Sequence, residues 1–90
     1  MAASLGLVSG LVRDASGRPI AGARVSFTSG PVALPDIAAL TDGGGAFTLT
    51  ASSPGTYELE AVADGFASRK VAVVVGAGGR AHADFLLEDV

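Results

Sequence analysis

Alternation between apolar and polar residues recurs along this chain, and it predicts β-strands. The clearest case is the stretch TYELEAVA at residues 56–63, in which apolar residues occupy every second position from Tyr57 to Ala63. Successive side chains of a strand point to opposite faces, so this stretch has one apolar face and one polar face. The polar face carries Glu58 and Glu60. The apolar face consists of Tyr57, Leu59, Ala61 and Ala63. No stretch of useful length shows the helical period.

Turn-forming residues separate the alternating stretches roughly every 8 to 15 residues, a spacing typical of all-β sandwiches or barrels. The third stretch is the weakest, because Ala38-Ala39-Leu40 could equally begin a helical turn. The pattern predicts seven strands, at residues 7–13, 23–28, 37–41, 46–50, 56–63, 68–75 and 80–87. We expect a seven-stranded antiparallel β-sandwich of Greek-key type, with residues 1–5 as a lead-in and residues 6–88 as a single domain.

The aromatic residues are predicted to lie in the core. Four of them fall on the apolar faces of their strands, and Phe66, which follows the Asp64-Gly65 turn, is expected to cap the core. The four are Phe27, Phe47, Tyr57 and Phe85. No aromatic side chain is left over to stack against a sugar, which disfavours carbohydrate binding through exposed rings.

The stretch KVAVVVGAGGRAHA at residues 70–83 matches the glycine spacing of dinucleotide-binding folds. That motif requires a helix whose N-terminus faces the pyrophosphate, and a second strand carrying an acidic residue about 20 positions on. Only 14 residues follow Gly76, and those from Arg80 onwards show period two. We therefore predict that residues 76–79 are a hairpin loop joining two antiparallel strands, with no nucleotide and no cofactor.

Composition excludes several kinds of site. The 90 residues include no Cys, so neither a disulfide, a thiolate nucleophile nor a zinc–thiolate site is available. Net charge is −3, and the six basic residues are scattered, with only Arg69 and Lys70 adjacent. Nucleic-acid binding is not expected, because it requires a basic patch. Membrane insertion is not expected either, because the apolar start of the chain is too short to span a bilayer.

Candidate chemical groups are few. His82 is the single histidine, and Asp84 lies two positions on, on the same face. The two could form a weak metal pair, but an ordinary surface pair is favoured. Glu58 and Glu60 stand roughly 7 Å apart along one strand, but a solvated role is favoured on a flat outer face. Catalysis by serine would need a base and an oxyanion hole, and His82 has no obvious serine partner.

Loop carboxylates provide a weak alternative metal site. Asp14, Asp36 and Asp42 could meet at one end of a sandwich and bind Ca²⁺ through their oxygens. Their spacing matches no EF-hand, and we favour the absence of a metal.

The turn and core residues together resemble a known family, the carboxypeptidase regulatory-like domain, which is a transthyretin-like (prealbumin-like) β-sandwich. The first part of the pattern is Gly10-x-Val12-x-Asp14-x-x-Gly17-x-Pro19-Ile20-x-Gly22-Ala23-x-Val25. The remainder is Thr41-Asp42-x-x-Gly45-x-Phe47-x-Leu49, Pro54-Gly55-x-Tyr57-x-Leu59, Ala63-x-Gly65-Phe66 and Phe85-x-Leu87. The pattern covers nearly the whole chain.

This resemblance implies a fold and no reaction. Such domains are accessory modules of larger proteins, usually outside the cytoplasm, so the expected partners are other domains of the parent protein or a protein partner. We expect a monomeric, non-catalytic spacer, folding support or protein-contact surface. The alternative is a sugar- or calcium-binding domain acting through its end loops.

Two related folds carry chemistry, and the sequence disfavours both. Transthyretin-like hydroxyisourate hydrolases use several His and Arg residues and end in Tyr-Arg-Gly-Ser, whereas this chain has one His and ends Leu86-Leu87-Glu88-Asp89-Val90. Collagen-binding B-type pilin modules form a Lys–Asn isopeptide bond, which a chain without Asn cannot make.

Overall fold

Two four-stranded sheets form the protein in the computed structural model, which describes residues 6–31 and 38–90. The eight strands are β1 (Gly6–Asp14), β2 (Arg24–Ser29), β3 (Ala39–Leu40), β4 (Ala46–Ala51), β5 (Gly55–Val62), β6 (Arg69–Val75), β7 (Arg80–His82) and β8 (Phe85–Leu87). The first sheet places β4 on one side of β1 and both β7 and β8 on the other. The second has the order β3-β2-β5-β6. The all-β sandwich is confirmed, and none of the described residues forms a membrane-spanning helix.

The core lies between the inner faces of the sheets, and the alternation predicted those faces correctly. On β5, Tyr57, Leu59 and Ala61 are at most 1% exposed. Aromatic rings pack in pairs within each sheet, Phe27 with Tyr57 at 4.7 Å between centroids and Phe47 with Phe85 at 5.9 Å. Phe27 and Phe66 are partly buried against this core. The core aromatics and the cap are therefore where the sequence predicted them.

The predicted last strand, residues 80–87, is two short strands, so the described residues form eight strands rather than the predicted seven. Both pair with β1 in parallel, Leu7 opposite Arg80 and Val12 opposite Phe85, so the first sheet is not purely antiparallel. The register is the same on both sides of the break. Alternation continues through Ala83 and Asp84, which is why the sequence pattern did not reveal the break.

Close contact between β1 and the last strands explains the break. Ala83 N–H donates to the Ser9 carbonyl at 2.9 Å, but the Ala83 carbonyl then points at Gly10. A Cβ on Gly10 would lie 1.6 Å from that oxygen. The neighbouring Leu11 N–H donates instead to Asp84 Oδ1 at 3.1 Å. A side-chain carboxylate thus accepts a hydrogen bond within this parallel pairing.

The prediction that residues 76–79 form a hairpin loop is wrong. β6 pairs with β5 in the second sheet, whereas β7 pairs with β1 in the first, so this segment crosses between the sheets. It makes a tight turn in which Gly79 N–H donates to the Gly76 carbonyl at 3.0 Å and Gly78 has a φ of 65°. Leu7 N–H, at the start of β1, donates to the Gly79 carbonyl at 3.0 Å. A glycine turn suits a hairpin and a crossover equally, and the pairing with β1 decides between them.

The third strand is shorter than predicted, at Ala39–Leu40, and Ile37 lies outside the described residues. Thr41, which follows it, is buried, although polar side chains usually face water. Its hydroxyl donates to the Ile20 carbonyl at 2.6 Å and accepts from Ala23 N–H at 2.9 Å. These bonds hold the segment before β2 against the end of β3.

Candidate functional site

Asp14 is the first of the candidate carboxylates, and it stabilises the turn after β1. Its Oδ1 accepts from Ser16 N at 2.9 Å, Ser16 Oγ at 2.7 Å and Arg18 N at 3.0 Å. Gly17 takes a φ of 87°, which a glycine adopts without strain. The hydrogen bond from the Ser16 hydroxyl, and then that from the Arg18 backbone, hold the pKa of Asp14 below its ordinary value.

Replacing Asp14 by asparagine is expected to destabilise the protein in a pH-dependent way. Because the pKa of folded Asp14 is lowered, its contribution is present above the ordinary value of 3.8 and is lost as the pH falls through the folded pKa. The stability gap between wild type and Asp14→Asn should therefore be largest at neutral pH and close in acid. Urea unfolding across this range measures it.

Asp64→Asn is the matched control for that experiment. Asp64 is fully exposed, and its ion pair with Arg24 has a long separation of 4.0 Å. Exposed pairs of this kind contribute little, so this variant should follow wild type at every pH. A gap for Asp14→Asn that stayed constant with pH would contradict the role assigned to the Asp14 carboxylate.

Asp42 has the same role before β4. Its Oδ1 accepts from Gly44 N at 2.9 Å and Ala46 N at 3.0 Å, and Gly45 has a φ of 77°. The two aspartate turns adjoin, because Gly45 accepts from Val12 N–H at 2.8 Å. Each of these carboxylates thus has an oxygen hydrogen-bonded within its own turn.

The predicted calcium ligands are only partly brought together. Asp14 and Asp42 lie in neighbouring turns, and Asp36 lies outside the described residues. Within residues 6–31 and 38–90, no three His, Asp or Glu side chains converge as a metal site would require.

His82 and Asp84 form the predicted pair on the outer face of the first sheet. Nε2 of His82 lies 2.8 Å from Oδ1 of Asp84, and both side chains are more than half exposed. The same Oδ1 accepts from Leu11 N–H, so Asp84 is also part of the contact with β1. The pair therefore connects a surface histidine to the break between β7 and β8.

The structure places a serine beside this pair, which the sequence analysis missed. Ser9 lies directly opposite His82 in the β1–β7 register, on the same face of the sheet. No hydrogen bond joins Ser9 to His82 within the described part of the chain, and the histidine is open to water. A serine triad needs a histidine bonded to both partners and an oxyanion hole. Only the parallel pairing of β1 with β7 could have revealed this neighbour.

Glu58 takes part in a surface network across the second sheet. Its Oε1 accepts from Thr28 Oγ1 at 3.0 Å and lies 3.9 Å from Lys70 Nζ. Glu60 lies opposite Lys70 in the β5–β6 register. A half-exposed ion pair such as Glu58–Lys70 contributes little to stability. The groups around the Glu58 carboxylate are the Thr28 hydroxyl and the Lys70 ammonium. This arrangement agrees with the solvated role favoured from the sequence.

A sequence profile described as the carboxypeptidase regulatory-like domain matches residues 7–88. The chain belongs to this family. The match runs from the second residue of β1 to just beyond β8, so it includes both aspartate turns and the parallel terminal strands. No curated protein matches the chain significantly.

Solved structures share the fold at low sequence identity. Hydroxyquinol 1,2-dioxygenase from Pseudomonas putida DLL-E4 has a TM-score of 0.73 at 14% identity, covering 100% of this chain and 58% of that one. The minor pilin GBS52 of Streptococcus agalactiae has a TM-score of 0.73 at 17% identity, covering 98% and 46%. A chain of a type II cohesin–X–dockerin complex from Acetivibrio cellulolyticus has a TM-score of 0.66 at 24% identity, covering 90% and 56%.

These likenesses show the fold alone. The chain spans between about half and three fifths of the length of these solved chains. The dioxygenase is an enzyme by its name, and the pilin is a pilus component by its name. One β-sandwich architecture therefore occurs in proteins with different functions, as is common for widespread folds.

Proposed function

We propose that this chain is a non-catalytic accessory module of a larger or exported protein, and that it contacts neighbouring domains or a protein partner outside the cytoplasm. The observation that carries the proposal is the engagement of the candidate carboxylates within their own turns. Oδ1 of Asp14 and Oδ1 of Asp42 each accept from backbone N–H groups two and four positions on. Their role in this proposal is to shape loops.

Membership of a family named for a regulatory-like domain supports an accessory role. A minor pilin and a chain of a cohesin–X–dockerin complex among the structural neighbours support protein contact as the mode of action. We further propose that residues 6–88 fold as one monomeric unit, because the pairing of β8 with β1 ties the end of the chain to its beginning.

Calcium binding by the adjoining aspartate turns is the second candidate function. Titration calorimetry of the isolated chain with calcium chloride distinguishes the accessory role from calcium binding. A second titration with cellohexaose tests for sugar binding. A turnover assay with hydroxyisourate tests for the hydrolase reaction. The accessory role predicts no saturable heat and no turnover above the uncatalysed rate.

Variants make the titration specific. Saturable calcium binding that is abolished in Asp42→Asn and retained in Asp64→Asn would replace the accessory role by the calcium-binding function. Turnover that depends on His82 would replace it by an enzymatic one. Both Asp64 and His82 are exposed, so substitutions there should leave the fold intact.

A further inference from the structure

The first and last strands of the described chain run side by side in the same direction. β1 pairs in parallel with β7 over Leu7 to Ser9 and with β8 over Val12 to Asp14. Asp14, at the end of β1, lies opposite Leu87, at the end of β8. The chain therefore enters at one end of the first sheet and leaves at the other, about 26 Å away by strand rise.

This arrangement determines how a pulling force acts on the sheet. A force applied along the chain pulls β1 towards its start and β8 towards its end, parallel to the strands. The slanted, evenly spaced bonds of a parallel pair then all carry load together and must break together. A force across the strands would instead open the same bonds one after another, starting from one end.

We propose that the protein is a force-bearing module whose mechanical clamp is β1 together with β7 and β8. This inference rests on the proposed function as an accessory module, and it adds the property that the module would contribute. A single hydrogen bond contributes little, so resistance comes from the simultaneous loading of several. Three of them are Leu7 N–H to Gly79, Ala83 N–H to Ser9 and Leu11 N–H to the Asp84 carboxylate.

Two features protect this clamp. β1 is also paired with β4 from Gly6 to Leu11, so sliding β1 past β7 and β8 disrupts a second ladder as well. The inner side of the clamp is dry, because Val12 and Leu87 are fully buried and Phe85 is 2% exposed. Water therefore reaches these backbone bonds from the outer face of the sheet.

The residues beyond β8 are held separately. Ala67 N–H donates to the Glu88 carbonyl at 2.8 Å, and Val90 N–H donates to the Gly65 carbonyl at 3.2 Å. Tension at the C-terminus would detach this short pairing first and then load β8. The clamp therefore carries the load once these two hydrogen bonds have broken.

Single-molecule force spectroscopy with two attachment geometries tests the proposal. The chain has no cysteine, so one introduced thiol gives a unique second handle. Pulling between the N-terminus and the C-terminus loads the clamp in shear. Pulling between the N-terminus and Arg80→Cys separates β1 from β7 at one end, because Leu7 and Arg80 are register partners. We expect a several-fold higher unfolding force in the first geometry.

Asp89→Cys is the matched control. It also introduces a thiol at an exposed position, but it lies beyond β8, so a pull from the N-terminus should again meet the high force. Bulk unfolding of both variants checks that stability is preserved. Equal forces in the two geometries, or a higher force for the Arg80→Cys handle, would overturn the mechanical role.

The two proposals fail separately. Equal forces combined with no calcium binding and no turnover would remove the force-bearing role and leave the accessory module. Saturable calcium binding combined with a strong dependence of the unfolding force on pulling direction would remove the accessory role and leave the force-bearing role.

Discussion

Gly10→Ala is expected to destabilise the protein by about 3 kcal/mol or more, beyond the usual cost of overpacking. The added Cβ would lie 1.6 Å from the Ala83 carbonyl oxygen and 2.6 Å from its carbon. Both are backbone atoms of the segment that joins β7 to β8, so no side-chain rotation relieves the clash. The two segments must move apart, which also strains the bond from Leu11 N–H to Asp84. Equilibrium urea unfolding measures the loss.

Gly43→Ala is the control for Gly10→Ala. A Cβ on Gly43 would meet no atom within 4 Å, and the residue lies outside the left-handed region. This substitution should be close to neutral. If Gly10→Ala were as mild as Gly43→Ala, the close approach of β1 to Ala83 would be refuted, together with the break it explains.

The sequence predicts the inner and outer faces of the strands well, because the residue types within a single strand indicate which of its side chains are buried. On β5 the apolar and polar positions alternate in the sequence as they do in the structure, from Tyr57 to Ala61. Each side chain needs either water or an apolar surrounding, whichever strand lies beside it. Alternation thus predicts which side chains of a strand face the core, but it does not predict which strand lies beside it.

The alternation within a strand does not predict which other strand pairs with it. Leu11 and Asp84 are 73 positions apart, and nothing near either of them indicates that they touch. The parallel pairing of β1, the break after His82 and the crossover at residues 76–79 all depend on long-range contacts of this kind. Antiparallel neighbours joined by tight turns are the common case in all-β proteins, so the sequence analysis favoured a hairpin.

In the candidate site too, the sequence predicts local features but not long-range contacts. Asp14 and Asp42 were correctly placed in turns, and their spacing from the glycines at positions 17 and 45 is that of residues that bond their own backbone. The metal site itself was disfavoured because the spacing of the three aspartates matches no EF-hand. The contact between Ser9 and the His82 neighbourhood needed the β1–β7 register, which the sequence did not provide.

Tyr57→Ala is expected to cost about 3–5 kcal/mol, as large-to-small substitutions of buried aromatic residues do. Tyr57 is 1% exposed on β5, which is an interior strand of the second sheet between β2 and β6. Its ring packs on Phe27 at 4.7 Å between centroids. Removing the ring leaves a cavity, because the strands on both sides are fixed by their own ladders. Urea unfolding gives the loss directly.

Tyr57→Phe measures the contribution of the hydroxyl to stability separately from that of the ring. The hydroxyl donates to the Ser53 carbonyl and accepts from Ser53 N–H, which fixes the turn before β5 much as a tyrosine corner does. Losing these bonds while keeping the ring should cost about 1 kcal/mol. The exposed neighbour Thr56 provides a surface control in Thr56→Ala, which should be close to neutral. A loss for Tyr57→Ala no larger than that for Tyr57→Phe would mean that the ring contributes little to the core, contrary to its burial.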